Sequence, residues 1–409
     1  MRWHLLPAGT PGEARILLWG RGLRAFGDGF VSLLLPVYLT ALGFDAFAIG
    51  VLTTATLLGS ATLSLAVGFT AHRWGRRGLL VAASLLMIAT GIGFLLETRF
   101  WPLVVIGFVG TLNPSSGDVS VFLPLEQALL ADTTPDRDRT AVFAAYSLVG
   151  SLVGAAGSLA AGLPELLRAT VPMSLVMALQ AMFALYTVLG LAAFFLYRRL
   201  PPARDDGGAA PASPLGPSRR IVFGLAALFS LDAFGGGFIV QSLLALWLFE
   251  RYGLSLAAAG TIFFWTGVLA AASNLAAARI ARRVGLVNTM VFTHLPSNLC
   301  LILVPFAPGL TLAVALLLVR SALSQMDVPT RSSYVMAVVT PAERAAAASI
   351  TSVPRSLAAA MSPLAAGYLL ALSSFGWPLV ISGALKGLYD ILLLLSFRRH
   401  RPPEERAQG

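Results

Sequence analysis

Apolar runs long enough to cross a bilayer follow one another almost without a gap from residue 15 to residue 397, joined by short polar segments. A helix needs roughly 20 such residues to span a hydrocarbon core of about 30 Å, and only closed backbone hydrogen bonding is tolerated there. Twelve runs are read as spans, at 15–41, 47–71, 79–96, 101–131, 141–163, 172–196, 220–249, 255–278, 286–306, 309–337, 345–371 and 376–397. A composition 57% hydrophobic and 12% charged excludes a soluble domain, which would need more charge to clothe its surface. The N-terminal "MRWHLLPAGTPGEAR" has no apolar core leading to a small-residue cleavage site, so no cleaved signal peptide is expected.

The net charge of +10 is a matter of topology rather than of a nucleic-acid partner. Arginine and lysine collect in short cytoplasmic loops. With the N-terminus inside, twenty basic residues fall on that side and three (Arg99, Arg168 and Arg251) on the other. Both termini are therefore expected in the cytoplasm. The single cysteine, Cys300, excludes an intrachain disulfide, and the four histidines (His4, His72, His294 and His400) lack metal-ligand spacing. No metal and no cofactor is expected.

The two halves of the chain resemble each other. "AFGDGF" at 25–30 returns as "AFGGGF" at 233–238, "GFTAHRWGRRGLL" at 68–80 aligns with "ARIARRVGLVNTM" at 278–290, and "FLPLEQ" at 122–127 falls opposite "DVPTRS" at 327–332. The order is kept and the offsets are 208, 210 and 205 residues. The expected architecture is all-α, with twelve transmembrane helices in two pseudo-symmetric six-helix bundles, residues 1–197 and 220–409. A Pro-, Gly- and Ala-rich cytoplasmic linker, 198–219, joins them. Repeated halves place a binding site near the midplane between them.

Twelve Asp, Glu, Arg or Lys residues lie well inside the predicted spans, and nine of them fall on spans 1, 4, 7 and 10. A charge at mid-bilayer costs about 2.5–3.5 kcal/mol on insertion scales, so each must face a partner or water. Helical spacing collects them into stripes: Arg21, Arg24 and Asp28 on span 1; Ser115, Asp118, Phe122 and Glu126 on span 4; Arg320, Ser324, Asp327 and Arg331 on span 10. The segment "GTLNPSSGDVSVFLPLEQALLAD" is thus read as a polar helix face kinked at Asn113-Pro114 and Gly117, not as a loop.

By depth, Asp28, Asp118 and Arg320, with Asn113 and Arg355, are candidates to meet substrate or proton. Arg24, Glu126, Asp232, Asp327 and Arg331 lie toward the cytoplasm. There the repeat swaps signs, Arg24 matching Asp232 and Glu126 matching Arg331, which suggests ion pairs joining the halves as a gate. Lys386 and Asp390 read as a self-neutralised pair on span 12, and Gly150, Gly154, Gly157 and Gly162 on span 5 as close-packing positions.

Twelve spans in two similar halves, with "GFTAHRWGRR" between spans 2 and 3, resemble the major facilitator superfamily, whose loop pattern there is Gly-x-Leu-Ala-Asp-Arg-x-Gly-Arg-Arg. Gly68, Ala71, Arg73, Gly75, Arg76 and Arg77 match it, while His72 stands in place of the acidic residue. The resemblance implies a secondary transporter whose spans 1, 4, 7 and 10 line the central cavity.

A phosphate-binding loop needs Gly-Lys-Ser/Thr, and the only lysine, Lys386, precedes Gly387, so an ion gradient rather than ATP is the expected driving force. The expectation is a monomeric, non-enzymatic plasma (inner) membrane transporter whose partners are a small molecule, protons and the lipid bilayer. Two cargo readings stand at this stage. One is an organic anion held by arginine, and the other a hydrophobic or cationic drug exported against protons. A sensor built on the same fold would call for an appended soluble domain.

Overall fold

Each apolar run becomes helix until a proline or a glycine cluster interrupts its hydrogen bonds. A computed structural model of the chain describes residues 10–115, 120–201, 216–340 and 343–397. Its α-helices are α1 (Gly12–Ala41), α2 (Ala46–Trp74), α3 (Arg76–Leu96), α4 (Phe100–Val109), α5 (Phe122–Thr133), α6 (Asp136–Leu159), α7 (Leu163–Thr170) and α8 (Leu175–Tyr197). Then come α9 (Arg219–Gly237), α10 (Gln241–Tyr252), α11 (Leu256–Val284), α12 (Leu286–Leu303), α13 (Leu310–Ser324), α14 (Asp327–Val338), α15 (Arg344–Leu372) and α16 (Trp377–Phe397). Among the described residues, eleven stretches are long and apolar enough to cross a membrane.

The twelfth span is the one expected to be a kinked helix, and it is broken instead. After α4 the chain leaves helical geometry at Gly110, and α5 starts only at Phe122. Pro114 lacks a backbone donor and disfavours helix at Asn113 before it. The Asn113 side chain then supplies a substitute turn, its Oδ1 accepting from Ser115 N at 3.1 Å and from Ser115 Oγ at 2.8 Å. The expected stripe from Ser115 to Glu126 therefore does not run down one helix. Spans 7 and 10 are also interrupted, between α9 and α10 and between α13 and α14.

The chain divides into two compact units. The first is Met1–Gly207 with Leu244–Phe264, and the second is Gly208–Leu243 with Trp265–Gly409. Within the first, α1 packs on α6 and α8, and α3 on α8. Within the second, α9 packs on α15 and α16, and α12 on α16 and α13.

The repeat extends to the contacts. A side chain on Gly29 of α1 would strike the backbone of Gly154 and Gly157 on α6, and one on Gly237 of α9 would strike Ala359 and Ser362 on α15. Gly237 lies 208 residues after Gly29, and Ala359 and Ser362 lie 205 after Gly154 and Gly157. The doubled "AFGxGF" is thus a close-packing device, small residues letting two backbones touch where no aqueous driving force exists. The tight turns repeat likewise. Gly75, between α2 and α3, has φ +67°, and Gly285, between α11 and α12, has φ +89°. Both values lie in the left-handed region, where a Cβ would be strained.

Candidate functional site

In the first unit the buried charges meet around Glu126, which is fully shielded on α5. Its carboxylate pairs with the Arg24 guanidinium of α1 and accepts from Tyr146 Oη of α6 and Tyr197 Oη of α8, each at 2.5 Å. Arg24 is held in turn by Tyr197 Oη at 3.2 Å, by Ser120 Oγ at 3.4 Å, and by the Phe122 ring, whose centroid lies 4.2 Å from the guanidinium carbon. One ion pair is thus saturated by hydroxyls from two further helices, as a buried pair must be to offset desolvation.

Two described residues remain nearby. Arg21 lies over the Tyr146 ring at 5.4 Å, and its Nε and Nη1 have no hydrogen-bond partner among the described residues. Asp28 is buried, with the Asn113 amide near it but outside hydrogen-bond geometry. Asp118 falls outside the described residues.

The second unit solves the same problem with more charge. Asp232 on α9 accepts from Lys386 Nζ of α16 at 2.6 Å and lies 3.3 Å from Arg331 Nη2 of α14. Arg331 also pairs with Asp327 one turn back and sits over the Phe229 ring at 5.2 Å. Asp390, fully shielded on α16, is met by His294 Nδ1 at 2.9 Å and by Asn298 Nδ2 at 2.8 Å, both on α12. Arg320 on α13 is half-buried, with an unpartnered Nε among the described residues, and Arg355 is half-buried on α15.

Two sequence expectations are corrected here. Glu126 and Arg331 were expected to pair across the halves; Glu126 is instead taken by Arg24 and two tyrosines of its own unit, and Arg331 by Asp327 and Asp232 of its own. A fully buried carboxylate takes the nearest cation and donors that its own bundle offers. Lys386 and Asp390 do not neutralise each other as one-turn neighbours, since Lys386 turns to Asp232 and Asp390 to α12. Helical spacing places two residues on one face and leaves open which neighbouring helix each side chain leans toward.

Tyr146, Tyr197, His294 and Asn298 were missed. Their only sequence signal is a polar group inside an apolar run, which is weak for tyrosine and was discounted for histidine because no metal-like spacing accompanied it.

The loop motif is partly visible. Gly68, His72 and Arg73 lie in the last turns of α2, and their side chains are outside the described residues. Arg76 pairs with Asp132 at the exposed end of α5, and Arg77 Nη2 donates to the Arg198 carbonyl at 2.7 Å. At the other end of α3, hydrogen bonds from Arg99 hold the half-buried Glu97 carboxyl down at about 2.

Apolar helices built on a doubled plan, each unit burying ionised side chains that no lipid-facing surface would tolerate, define a multi-pass membrane transporter. A family model described as Major Facilitator Superfamily matches residues 17–326. The chain belongs to the major facilitator superfamily, and it is a transporter, not an enzyme. It is 26% identical to the uncharacterized membrane protein YJR124C of Saccharomyces cerevisiae, with 93% of each chain covered. A variant of the nucleoside transporter NupG matches with a TM-score of 0.76 at 15% identity, covering 94% of this chain and 100% of that one. The human organic anion transporter MFSD10 (TETRAN) matches with a TM-score of 0.64 at 18% identity, covering 94% and 100%. Identities this low speak for the shared fold alone.

Proposed function

We propose that this chain is a proton-coupled secondary transporter of a small organic anion, working by alternating access as a monomer in the plasma (inner) membrane with both termini in the cytoplasm. The observation that carries the cargo reading is the state of the arginines. Arg24 and Arg331 are consumed by carboxylates of their own units, whereas Arg21 and Arg320 keep guanidinium donors with no partner among the described residues. A buried, unmet N–H costs about 1–3 kcal/mol, more on a charged group, and a carboxylate or phosphate oxygen would satisfy it bidentately. Asp28, buried one turn beyond Arg24, is the proposed proton carrier of the first half, since its protonation changes the charge beside Arg24 and Arg21.

The test is uptake of labelled mono- and dicarboxylates and of lipophilic cations into proteoliposomes under an imposed pH gradient. The reading expects gradient-dependent uptake of anions, with R21Q and R320Q each raising the half-saturating anion concentration by about tenfold or more, the loss of one charge-assisted hydrogen bond. Uptake or export of the cations alone, unchanged by R21Q and R320Q, would replace it with the drug-export reading.

A further inference from the structure

We propose that His294, Asn298 and Asp390 form a proton-binding site private to the second half of the molecule. His294 and Asp390 are both buried, and Asp390 places one oxygen on His294 Nδ1 at 2.9 Å and the other on Asn298 Nδ2 at 2.8 Å. The His294 ring also sits edge-on to Tyr389, with centroids 6.2 Å apart.

Charge balance requires the proton. Beside this trio, Asp232 and Asp327 are matched by Arg331 and Lys386 in ion pairs, two acids against two bases. That set is neutral by itself. Asp390 is then the remaining acid of the cluster, and neither of its oxygens is met by an arginine or lysine among the described residues. With a neutral imidazole and an ionised carboxylate, the trio would bury an uncompensated negative charge, which hydrocarbon and packed protein both reject. One proton, shared between imidazole and carboxylate, restores neutrality.

The elements packed against α12 and α16 carry Asp232 on α9, Arg320 on α13, Asp327, Arg331 and Tyr334 on α14 and Arg355 on α15, beside Lys386 and Tyr389 on α16 and Cys300 on α12 itself; Asp232 and Lys386 act on Asp390 directly. Of these, Arg320 lies near Cys300.

The fold does not need ionisable groups at these positions. At the repeat offset of 210 residues, His294 and Asn298 correspond to Ser84 and Ile88 on α3. On the facing helix, Lys386 stands beside Gly235 as Tyr186 stands beside Gly27, an offset of 200 that sets Asp390 against Gly190 on α8. In the first unit that crossing is closed by small and apolar residues: a side chain on Gly190 would meet Met87 and Ile88, and Ser84 Oγ simply donates to its own Leu80 carbonyl at 2.9 Å. The second half has replaced a dry contact with a histidine–carboxylate pair one turn along α16 from Lys386, which holds Asp232. Proton loss there sets a negative charge beside the Asp232–Lys386 pair, so occupancy of the site is felt by the network on α9 and α14.

The existence of the site does not depend on the cargo, and only its use in transport rests on the proton-coupled reading above. The experiment is therefore spectroscopic rather than a flux. Full-length H4Q/H72Q/H400Q protein, which leaves His294 as the sole histidine, is labelled with ¹⁵N-histidine and reconstituted in nanodiscs. Its imidazole shifts and the infrared band of protonated carboxyl are followed from pH 5 to pH 9. The expected result is a proton still held by the pair at pH 8, seen as a doubly protonated ring or as a carboxylic acid band. Adding D390N should turn the ring neutral at that pH and remove any such band. A neutral ring with no protonated carboxyl at pH 8 would overturn the proposal, as would a ring whose titration D390N leaves unchanged. Loss of anion-driven proton flux with this protonation intact would instead count against the transport reading alone.

Discussion

The two halves bury charge at equivalent places by different means. Around Glu126 the first half uses a single ion pair whose remaining valences are filled by Tyr146 and Tyr197. Around Asp232 the second half uses two cations and a second acid, so Asp232 and Arg331 each have two ionic partners. The Arg24/Asp232 and Glu126/Arg331 sign swaps show that the repeat conserves the location of a polar knot and not its polarity. What the fold demands is neutrality inside each half, and several side-chain sets meet that demand. The first half's solution is economical and brittle; the second's is redundant.

The sharpest break between them is expected on removing one cation from each. R24Q strands Glu126 in a fully buried position with only two hydroxyls, and should cost about 3–5 kcal/mol of stability, near what truncating one partner of a buried pair costs. K386Q leaves Asp232 still held by Arg331, which keeps Asp327 as well, and should cost clearly less, about 1–3 kcal/mol. Thermal unfolding of both variants in detergent checks the order. Equal losses would erase the distinction.

The architecture was largely legible because apolar length and the repeat are properties of the chain itself. The offsets found between motifs reappear as contacts, with Gly29 on Gly154 and Gly157, and Gly237 on Ala359 and Ser362. The partners of the buried charges were much less legible. Arg24, Glu126, Asp232, Asp327 and Arg331 were recognised as charges needing neutralisation, yet their partners depend on which helices pack together, and that is set by glycine contacts no charge pattern encodes. The loss of helix from Gly110 to Ser115 is expected from the sequence as a kink, since a proline signals lost hydrogen bonds without saying how many turns are lost with them.

The smallest expected effect concerns the entrances to the halves. No side chain caps the start of α1, whereas α9 begins under Glu343, whose carboxylate accepts from Ser218 Oγ at 2.7 Å, from Thr340 Oγ1 at 2.7 Å and from the Gly216 backbone N–H. The Ser218 and Thr340 hydroxyls hold its carboxyl at about 2, below the ordinary 4.5. This anchor is therefore fully present above pH 4.5 and is lost as pH falls toward 2. Proteolysis at the linker should accelerate across that window in the wild type, and E343Q should already show the acid-accelerated rate at pH 7.

The claim that each half closes its own buried charges is tested most directly by a double-mutant cycle on Arg24 and Glu126, using R24Q, E126Q and the double variant, with unfolding free energy as the readout. A coupling of about 2–3 kcal/mol, with the double variant markedly more stable than R24Q alone, is the predicted result. Additive losses would mean that Glu126 finds its cation elsewhere and would contradict the account.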